Sequence, residues 1–437
     1  MIRSMDKALF ILSLGLMVLA YGIAAGRYDL FPATLADLTV DTVRDWKRNW
    51  RHYLGIRPEQ LLEDARYSGE GVTVNDPAAA AGVTFISAMW GEQLGFRLFD
   101  MDGKELHAWT ISLNAIFPDQ SHLQRRLGDW DNHVHGMHLF ANGDVVFNFE
   151  KVGLVRIDSC GNTLWARPNH THHSVFIDEA GDIWTSGDVS DSYRRSDLPG
   201  FEVPVMDELA VRFSPDGEEL RRIPILDSIL ASGYEGILFG KGRDSVKQTK
   251  HDGEDPLHLN DVEVLGAAKA AAFPLFEAGD IMVSLRNIDT ILVLDGETDL
   301  VKWSVSGPFL AQHDPDFLDD GTISVFDNHR FDTNLNGRTL QSRIVVIDPA
   351  TGGFSVVYGD DPQTEPFYTG KMGKHERLAN GNMLITESEA GRAFEVTPEG
   401  RVVWEFINAW GEGKTAWIMG AQRYPVDYLE PEAFTCG

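Results

Sequence analysis

Three histidines stand at the same distance from a turn glycine, and this repetition is the clearest chemical signal in the sequence. The separation is eight residues each time, in the pairs His135 and Gly143, His173 and Gly181, and His313 and Gly321. Imidazole can act as a nucleophile, a base or a metal ligand near neutral pH. Histidines that recur at one structural position therefore predict a shared site.

Two further histidines extend the pattern. His258 precedes "LNDVEV", where an Ala- and Phe-rich insertion delays the turn glycine to Gly279, and His375 lies six residues before Gly381. One such histidine is most often a satisfied structural residue, but four at equivalent positions favour a site. We therefore expect four histidines to meet, with His375 nearby: His135, His173, His258 and His313.

The chemistry of such a cluster depends on its neighbours. Several neutral imidazoles could bind zinc, which makes a metal site the first rival. The nearby strand "SLRNID" brings the cation of Arg286 toward the same place, however, and this disfavours a metal ion. Histidine together with arginine suits an oxyanion, so we expect no bound metal.

The elements that carry these histidines are β-hairpins of one recurring kind. Six hairpins with a tight Asp- or Gly-containing turn can be aligned, among them "RLFDMDGKELHAWTI" and "FEVTPEGRVVWEFIN", and a second hairpin signature such as "HLFANGDVVFNF" precedes five of them. Two hairpins make four strands, and successive turn glycines Gly103, Gly161 and Gly217 lie 58 and 56 residues apart. The pattern predicts an all-β fold, a six-bladed β-propeller, with a seven-bladed ring as the alternative.

This architecture would bring the histidines together. The innermost strand of each propeller blade begins at one end of the central channel, so equivalent positions converge there. The strand-like tail from Gly420 to Leu429 can pair with the first blade and close the ring.

The N-terminus differs from the rest of the chain. Ala8 to Ala25 is an uncharged apolar run of 18 residues, long enough as a helix to span about 27 Å. Because Arg3 and Lys7 precede it, we expect an N-terminal transmembrane helix with its N-terminus in the cytoplasm, a single pass through the inner membrane and a periplasmic propeller. The alternative is a signal peptide cleaved near three small residues, Gly22, Ala24 and Ala25.

These features predict four segments: a membrane anchor at 1–28, a juxtamembrane helical region at 29–78, the propeller at 79–430 and a tail at 431–437. The juxtamembrane helix is expected from Thr39 to Leu54, with its basic residues either solvated or near lipid headgroups. Cys160 and Cys436 are the only cysteines. They could pair in an oxidising compartment or remain two separate thiols.

The net charge limits the partners. It is -28, from 38 Lys and Arg against 66 Asp and Glu, so a nucleic-acid-binding surface is not expected. A homo-oligomer or a membrane protein partner remains open.

Several stretches together resemble one family. They are "HHSVFIDEAGDIW", "HLNDVEVL", "VSLRNIDTILVLD", "QHDPDFLDDGTISVFDN" and "HERLANGNMLITESEAGRAFEVTPEGRVVWEF". The chain from about Gly82 to Leu429 is similar to the arylsulfotransferase family, bacterial six-bladed propellers that move a sulfuryl group from a phenolic sulfate to a phenol through a sulfated histidine. The resemblance implies no nucleotide, metal or other cofactor, a phenolic sulfate donor and a phenol acceptor.

The resemblance also implies roles for residues that match the family's motifs. The nucleophile falls on His313, the His-x-Asn pair on His258 and Asn260, and the arginine on Arg286. A further site histidine falls on His172 or His173, of which the offset of eight favours His173. This imidazole could protonate the departing phenolate and then deprotonate the acceptor phenol. Long insertions at Asp188–Glu208 and Asp227–Leu257 depart from the family, as does the apolar N-terminus.

Substrate contacts are expected from His135, His375 and Tyr368. Tyr234, Phe239 and Phe367 could also stack on a phenol, although such rings serve equally well as blade core. A function of another class stays open: a non-catalytic propeller ectodomain that serves as a ligand-binding or partner-binding scaffold in a membrane complex.

Overall fold

Tight turns at aspartate and glycine start the hairpins of the fold. In one of them Oδ1 of Asp178 accepts hydrogen bonds from the backbone N–H groups of Ala180 and Asp182, at 2.9 and 3.0 Å. Gly321 ends an equivalent turn with φ +82°, and a Cβ there would lie 2.2 Å from the carbonyl oxygen of Ala272. Glycine is required at such positions because it alone adopts this conformation without a steric clash.

The structure is a computed structural model that describes residues 2–28, 47, 50–52, 56–190, 195–198, 201, 205–239, 255–330, 341–431 and 433–434. The chain divides into two compact units, Met1–Gln60 and Leu61–Gly437. The second unit contains every described strand. It is all-β apart from short helices, and its sheets have a propeller-like arrangement.

Six open sheets of four or five strands make up most of the second unit, and each is called a blade here. Every blade is antiparallel, which allows its strands to follow one another through short turns. In sheet order, blade 1 contains β28 (Ile418–Tyr424), β3 (Val83–Trp90), β4 (Gln93–Phe99) and β5 (Glu105–Ile111). Blade 2 contains β6 (Val134–Leu139), β7 (Val145–Phe149), β8 (Gly153–Ile157) and β9 (Thr163–Arg167). Blade 3 contains β10 (His170–Ile177), β11 (Ile183–Asp188), β12 (Glu208–Phe213) and β13 (Glu219–Pro224).

The other three blades follow the same plan. Blade 4 contains β14 (Leu259–Val264), β15 (Ile281–Leu285), β16 (Thr290–Leu294) and β17 (Val301–Ser306). Blade 5 contains β18 (His313–Phe317), β19 (Ile323–Asp327), β20 (Arg343–Ile347) and β21 (Phe354–Tyr358). Blade 6 contains β22 (Lys374–Arg377), β23 (Met383–Glu387), β24 (Arg392–Val396), β25 (Val402–Ile407) and β2 (Gly71–Asn75). A smaller sheet contains β1 (Leu62–Asp64), β27 (Lys414–Ala416) and β26 (Ala409–Gly411).

The first strands of the six blades contact one another in order. β28 contacts β6, and the series continues through β10, β14, β18 and β22 back to β28. These six strands are called the inner strands below. Residues at equivalent places on them are thereby brought close together, as the histidine spacing requires.

Both ends of the second unit contribute to blades far away in the chain. The predicted C-terminal strand is present as β28, and it pairs with β3 of blade 1. At the other end β2, a segment that the sequence analysis assigns to the 29–78 region, pairs with β25 of blade 6. The paired strands therefore extend further toward the N-terminus than the predicted boundary at residue 79.

Aromatic and aliphatic side chains fill the spaces between blades. Phe96 of blade 1 lies 5.1 Å from Phe147 of blade 2, measured between ring centroids, and both rings are fully buried. Burial of one such side chain stabilises the fold by about 1.5–3 kcal/mol. Phe367, a candidate for substrate contact, also belongs to the core, because it packs on Tyr358 and Phe394 and is 2% exposed.

Four described α-helices accompany the strands: α1 (Ile2–Tyr28), α2 (Leu113–Ile116), α3 (Ile225–Ala231) and α4 (Ala267–Ala270). The apolar run from Ala8 to Ala25 lies within α1. None of the helices in the described part of the chain has the length and apolar character needed to cross a membrane. Most of the helix expected from Thr39 to Leu54 lies outside the described residues.

Cys160, in the turn between β8 and β9, is disulfide-bonded. Cys436 is the chain's only other cysteine and lies outside the described residues.

Candidate active site

The inner strands bend where the predicted site residues occur. The register shifts in β6 between Val134 and Met137, in β10 between His172 and Phe176, and in β18 between His313 and Asp316. A further shift lies in β14, between Leu259 and Asp261. Three residues at or beside these four bends have a positive φ: His173 at 56°, His258 at 52° and Asp314 at 52°. Such backbone costs of the order of 1–3 kcal/mol and is concentrated at functional sites.

The bends bring the four predicted histidines together. His135 lies 4.2 Å from His173 and 6.3 Å from His313, between ring centroids. His173 lies in turn 4.9 Å from His258. The four residues come from blades 2, 3, 4 and 5, and they are called the histidine cluster below.

The protonation of His313 follows from a buried amide. The side-chain NH₂ of Asn328 donates to the carbonyl oxygens of Thr369 and Met372, at 2.9 and 2.7 Å. Its Oδ1 therefore faces Nδ1 of His313, 2.6 Å away, and this nitrogen must carry the proton. The lone pair consequently lies on Nε2, which has no hydrogen-bond partner among the described residues.

The surroundings of His313 also keep it uncharged. Burial lowers the pKa of His313 well below its usual value, and the positive charge of Arg286 lowers it further. The hydrogen bond to Asn328 opposes this shift without reversing it. His313 is thus a neutral imidazole at pH 7, with a lone pair available for attack.

Arg286 is held by a hydrogen-bonded chain. Its Nη1 donates to Nε2 of His258 at 2.9 Å, and Nδ1 of His258 donates to Oδ2 of Asp255 at 2.6 Å. Burial opposes ionisation of Asp255, but the hydrogen bonds and charge of His258 and the charge of Lys151 together outweigh burial and hold the pKa of this carboxyl well below its usual range. Both nitrogens of His258 are occupied, so His258 positions Arg286 in this arrangement.

Asn260 contacts the strand that carries the candidate nucleophile. Its Nδ2 donates to the backbone oxygen of Gln312, the residue before His313, at 2.6 Å. Its Oδ1 is buried without a hydrogen-bond partner in the described part of the protein. The amide therefore ties β14 to the start of β18.

Glu150 lies between two histidines of the cluster. Its Oε2 is 3.3 Å from Nδ1 of His135, its Oε1 is 3.4 Å from Nδ1 of His173, and it also accepts the backbone N–H of His173 at 3.2 Å. Burial opposes its ionisation, but the hydrogen bond from His135 and the electrostatic effects of His135, His172 and His133 together outweigh burial and keep the pKa of Glu150 low. A carboxylate so placed can orient both imidazoles and stabilise a positive charge on either.

His172, the alternative to His173, lies behind the cluster. Its Nδ1 is 2.8 Å from Nδ1 of His173, and its Nε2 is 3.1 Å from Oε2 of Glu208. Burial lowers the pKa of His172 to about 3. His173, the residue that the offset of eight favours, is the one adjacent to His135 and His258.

Two predicted substrate contacts have other partners in the second unit. His375 is hydrogen-bonded through Nδ1 to Oδ2 of Asp314 at 3.2 Å, in a cavity described further below. The backbone N–H of Tyr368 donates to Oε1 of Glu387 at 3.0 Å, and the guanidinium of Arg66 lies 6.0 Å from its ring centroid. His375 therefore lines that second cavity, and substrate contact by Tyr368 stays a prediction.

A cavity of about 590 Å³ adjoins the cluster, and Glu150 is part of its wall. Its other walls include apolar side chains, Leu123 and Leu127, and polar ones, Asn132 and Lys151. The volume is within the range of small-molecule pockets. Tyr234 and Phe239, which could have stacked on a substrate, instead pack against the hydrophobic core around blades 3 and 4.

Sequence reasoning missed Glu150, Asp255 and Asn328, although a signal for two of them was present. Glu150 lies 15 residues after His135, and Asn328 lies 15 residues after His313. Each follows the second strand of its blade directly, as Arg286 does in blade 4. The second strand returns antiparallel to the histidine, so a residue at this offset faces it.

The model of the arylsulfotransferase (ASST) family matches residues 136–409. This is more than half of the chain, and the chain therefore belongs to the arylsulfotransferase family. The matched range contains His173, His258, Asn260, Arg286 and His313. No curated protein matches the chain.

Several solved structures are similar at low identity. A protein of unknown function from Bacteroides caccae is 12% identical, with a TM-score of 0.47, over 78% of this chain and 98% of its own. Virginiamycin B lyase from Staphylococcus aureus is 12% identical, with a TM-score of 0.41, over 80% and 88%. TolB from Acinetobacter baumannii is 11% identical, with a TM-score of 0.44, over 78% and 66%. At these values the similarities carry no information about activity.

Proposed function

We propose that the protein is an arylsulfate sulfotransferase built on a six-bladed β-propeller, and that it transfers a sulfuryl group from a phenolic sulfate to a phenol through a sulfated His313. The observation that carries this proposal is the state of His313. Its Nδ1–H is donated to Asn328 at 2.6 Å, while its Nε2 keeps a lone pair beside the cation of Arg286. Membership of the arylsulfotransferase family supports the same reaction class.

In the first half-reaction, Nε2 of His313 forms a bond to the sulfur of the donor. The bond from sulfur to the aryl oxygen breaks, and its electron pair leaves with the phenolate. As in phosphoryl transfer, such a displacement spreads charge over non-bridging oxygens, which an arginine can stabilise. We assign this role to Arg286, which is held by His258 and Asp255, while Asn260 ties the strand that carries His313 to β14.

Protons must reach the leaving phenolate and then leave the acceptor phenol, whose ordinary pKa is about 10. The sequence assigns this work to His173. Contacts of Glu150 with both His135 and His173 support a shared role for the two imidazoles. In the second half-reaction the acceptor gives its proton to one of them and its oxygen attacks sulfur. The bond from sulfur to nitrogen then breaks, which returns the lone pair to Nε2.

We further propose that the chain is exported and stays attached to the inner membrane through its N-terminal apolar run, with no nucleotide or metal taking part in the reaction. The disulfide at Cys160 supports export, because such bonds persist mainly in oxidising compartments. Intact-mass measurement of the protein from membranes should show Met1 retained. A mature chain that begins near Gly26 would mean that the run is a cleaved signal. Export is tested with a labelling reagent that does not cross the inner membrane: it should react with the second unit without disruption of that membrane. Labelling only after the membrane is disrupted would contradict export.

The transfer is tested with a nitrophenyl sulfate and an acceptor phenol. Wild-type protein should release nitrophenolate, and mass analysis after rapid quenching should locate a sulfuryl adduct on His313. His313→Asn should lose both signals, because the amide cannot accept the group. The matched control is His107→Asn on β5, an outer strand, where the imidazole contacts Trp109 and Phe434; it should keep both signals. Absence of turnover and adduct with a broad panel of aryl sulfates would favour a binding scaffold instead.

A further inference from the structure

A second cluster of charged side chains lines a cavity of about 370 Å³ between the inner strands. All six inner strands contribute to its wall, so the cavity lies on the common axis of the blades. Five residues of the wall are called the channel cluster below: Asp261, Glu263, Asp314, Asp316 and His375. None of them belongs to the reaction proposed above.

His375 is oriented in this cavity by Asp314. Oδ2 of Asp314 accepts the backbone N–H of His375 at 2.6 Å and faces Nδ1 of the imidazole at 3.2 Å. Oδ1 of the same carboxylate is engaged by Nζ of Lys374 at 2.6 Å. Asp314 is thus satisfied on both oxygens, and as an acceptor it fixes the imidazole proton of His375 on Nδ1.

This tautomer leaves a lone pair on Nε2 of His375. The atom is buried without a hydrogen-bond partner among the described residues, and the side chain is 0% exposed. Oδ2 of Asp316 lies 3.6 Å away, and the Asp316 side chain is 35% exposed. Two electron-rich atoms that face each other at this distance repel unless a cation or a second proton lies between them.

The charges around this pair favour a cation. The carboxylates of Asp261 and Glu263 line the same cavity as Asp314 and Asp316. Four cationic side chains line the wall: Lys374 is paired with Asp314, Arg423 is paired with Glu395 at 3.2 Å, and Arg377 is exposed to solvent. Lys269 donates to the backbone oxygen of Phe317. Asp261, Glu263 and Asp316 have no ion pair at 4 Å or less with a lysine or arginine in the described part of the chain.

The geometry resembles that of an imidazole prepared for metal binding. A metal-ligating histidine almost always donates its other N–H to a carboxylate or carbonyl, as His375 does to Asp314. An ion about 2.1 Å from each of two ligands holds them about 3.4 Å apart when tetrahedral and about 3.0 Å apart when octahedral. The separation of 3.6 Å between Nε2 of His375 and Oδ2 of Asp316 is nearer the tetrahedral value.

We propose that the channel cluster binds one four-coordinate divalent transition metal ion of the Zn²⁺ class, through Nε2 of His375 and the carboxylate of Asp316. Asp314, whose carboxylate lies within 4.8 Å of both ligand atoms, orients the imidazole, and water completes the coordination. Mixed nitrogen and oxygen ligands suit Zn²⁺ and Co²⁺ better than Mg²⁺ or Ca²⁺. The ion would link β18 and β22, and so stabilise the strand that presents His313.

The test uses the full-length protein, stripped of metal with a chelator and titrated with Co²⁺. We expect one equivalent to bind, with the strong visible absorption of tetrahedral cobalt, and Zn²⁺ to displace it. Asp316→Asn and His375→Gln should each weaken binding at least 100-fold. The matched control is Asp319→Asn, which removes the same charge from the exposed turn of blade 5 and should bind Co²⁺ as the wild type does.

A second measurement does not depend on the folding of any variant. Anomalous scattering from crystals of the Zn²⁺-loaded wild-type protein should place the ion between His375 and Asp316. The groups around Glu150, where imidazole and carboxylate atoms also lie within 4.8 Å of one another, are the internal comparison. An ion at that second place, binding unaffected by Asp316→Asn and His375→Gln, or no binding by the wild type would overturn the proposal. In the last case a proton would lie between His375 and Asp316.

Discussion

The histidine cluster and the channel cluster are built on the same inner strands, yet they differ in the charge that acts on their principal histidines, His313 and His375. His313 and Asp314 are adjacent in the chain, Asp314 has a positive φ, and the two side chains belong to different clusters. Around His313, burial and the cation of Arg286 keep the imidazole neutral, while Glu150 and Asp255 add two carboxylates. In the channel, burial raises the pKa of Asp261 to about 7 and that of Glu263 to about 8. Arg286 can therefore hold an anion next to His313, whereas the carboxyl groups of the channel can hold a cation.

A comparison of His313 with His375 shows how the group that faces Nδ1 affects the charge of an imidazole. Nδ1 of His313 faces the neutral amide of Asn328, whereas Nδ1 of His375 faces the carboxylate of Asp314. The pKa of His313 is lowered by burial and by Arg286, but that of His375 is raised, because Asp314 and Asp316 outweigh burial. The amide leaves a neutral nucleophile, and the carboxylate makes a stronger base and metal ligand.

Removal of Arg286, the cation next to the histidine cluster, should have the largest effect on the rate of sulfuryl transfer. Arg286→Ala should lower the rate of sulfuryl transfer on the order of 10²–10³-fold, which is the usual cost of losing one preorganised group that stabilises transition-state charge. The measurement is kcat with a nitrophenyl sulfate. Arg401→Ala, which removes an exposed arginine paired with Asp76, is the control and should leave kcat unchanged. An unaltered kcat in Arg286→Ala would contradict the proposal that Arg286 stabilises the charge on the sulfuryl oxygens.

Loss of the Asn328 side-chain amide, which accepts the Nδ1–H of His313, should lower kcat somewhat less than loss of Arg286. Asn328→Ala removes the acceptor that fixes Nδ1–H, and the imidazole gains positive charge as it is sulfated. A hydrogen bond to a charged group contributes about 1.5–3 kcal/mol, so kcat should fall about 10- to 100-fold. Asn382 is an equally buried amide that donates to Ala78 and Glu395, and Asn382→Ala controls for lost stability. Equal losses of kcat in both variants would indicate that Asn328 acts only through the fold.

Glu150→Gln should reduce kcat by about 10-fold, because glutamine keeps a hydrogen bond but loses the charge that stabilises a protonated imidazole. Glu150 raises the pKa of His135, against the larger effect of burial. Loss of the carboxylate therefore lowers this pKa, and the acidic limb of the pH–rate profile should move to lower pH. Glu399→Gln, at an exposed turn, should change neither quantity. A shift to higher pH would contradict the assigned role.

Much of this fold was predictable because the evidence for it is local. The Asp and Gly turns require particular residues, so the hairpins could be recognised in the sequence. The hairpin pattern predicted four strands per unit, the inner position of the histidines and the pairing of the C-terminal strand. Membership of the arylsulfotransferase family is confirmed by the match to residues 136–409. The membrane anchor and the roles of individual site residues remain predictions.

What the sequence could not provide depends on backbone that departs from regular strands. The offset of His375 differs by only two residues from that of His313, yet its side chain lies in the channel cluster. Tyr368 belongs to a connection whose path no periodicity determines. Asp255 lies three residues before His258, across a local turn that offers no repeat for comparison.

The smallest predicted effects provide the most direct comparison of the two clusters, because two ligands of opposite charge should each stabilise only one. Benzenesulfonate resembles an aryl sulfate but has no transferable group, and it should bind at Arg286; Zn²⁺ should bind at Asp316. A ligand present at 100 times its Kd adds about 2.7 kcal/mol to the free energy of unfolding, which for a domain of this size raises Tm by about 3 °C. Arg286→Ala should lose the shift with benzenesulfonate and keep the shift with Zn²⁺, and Asp316→Asn should show the reverse. If either variant, while folded, lost both shifts, the two clusters would have to act as one site.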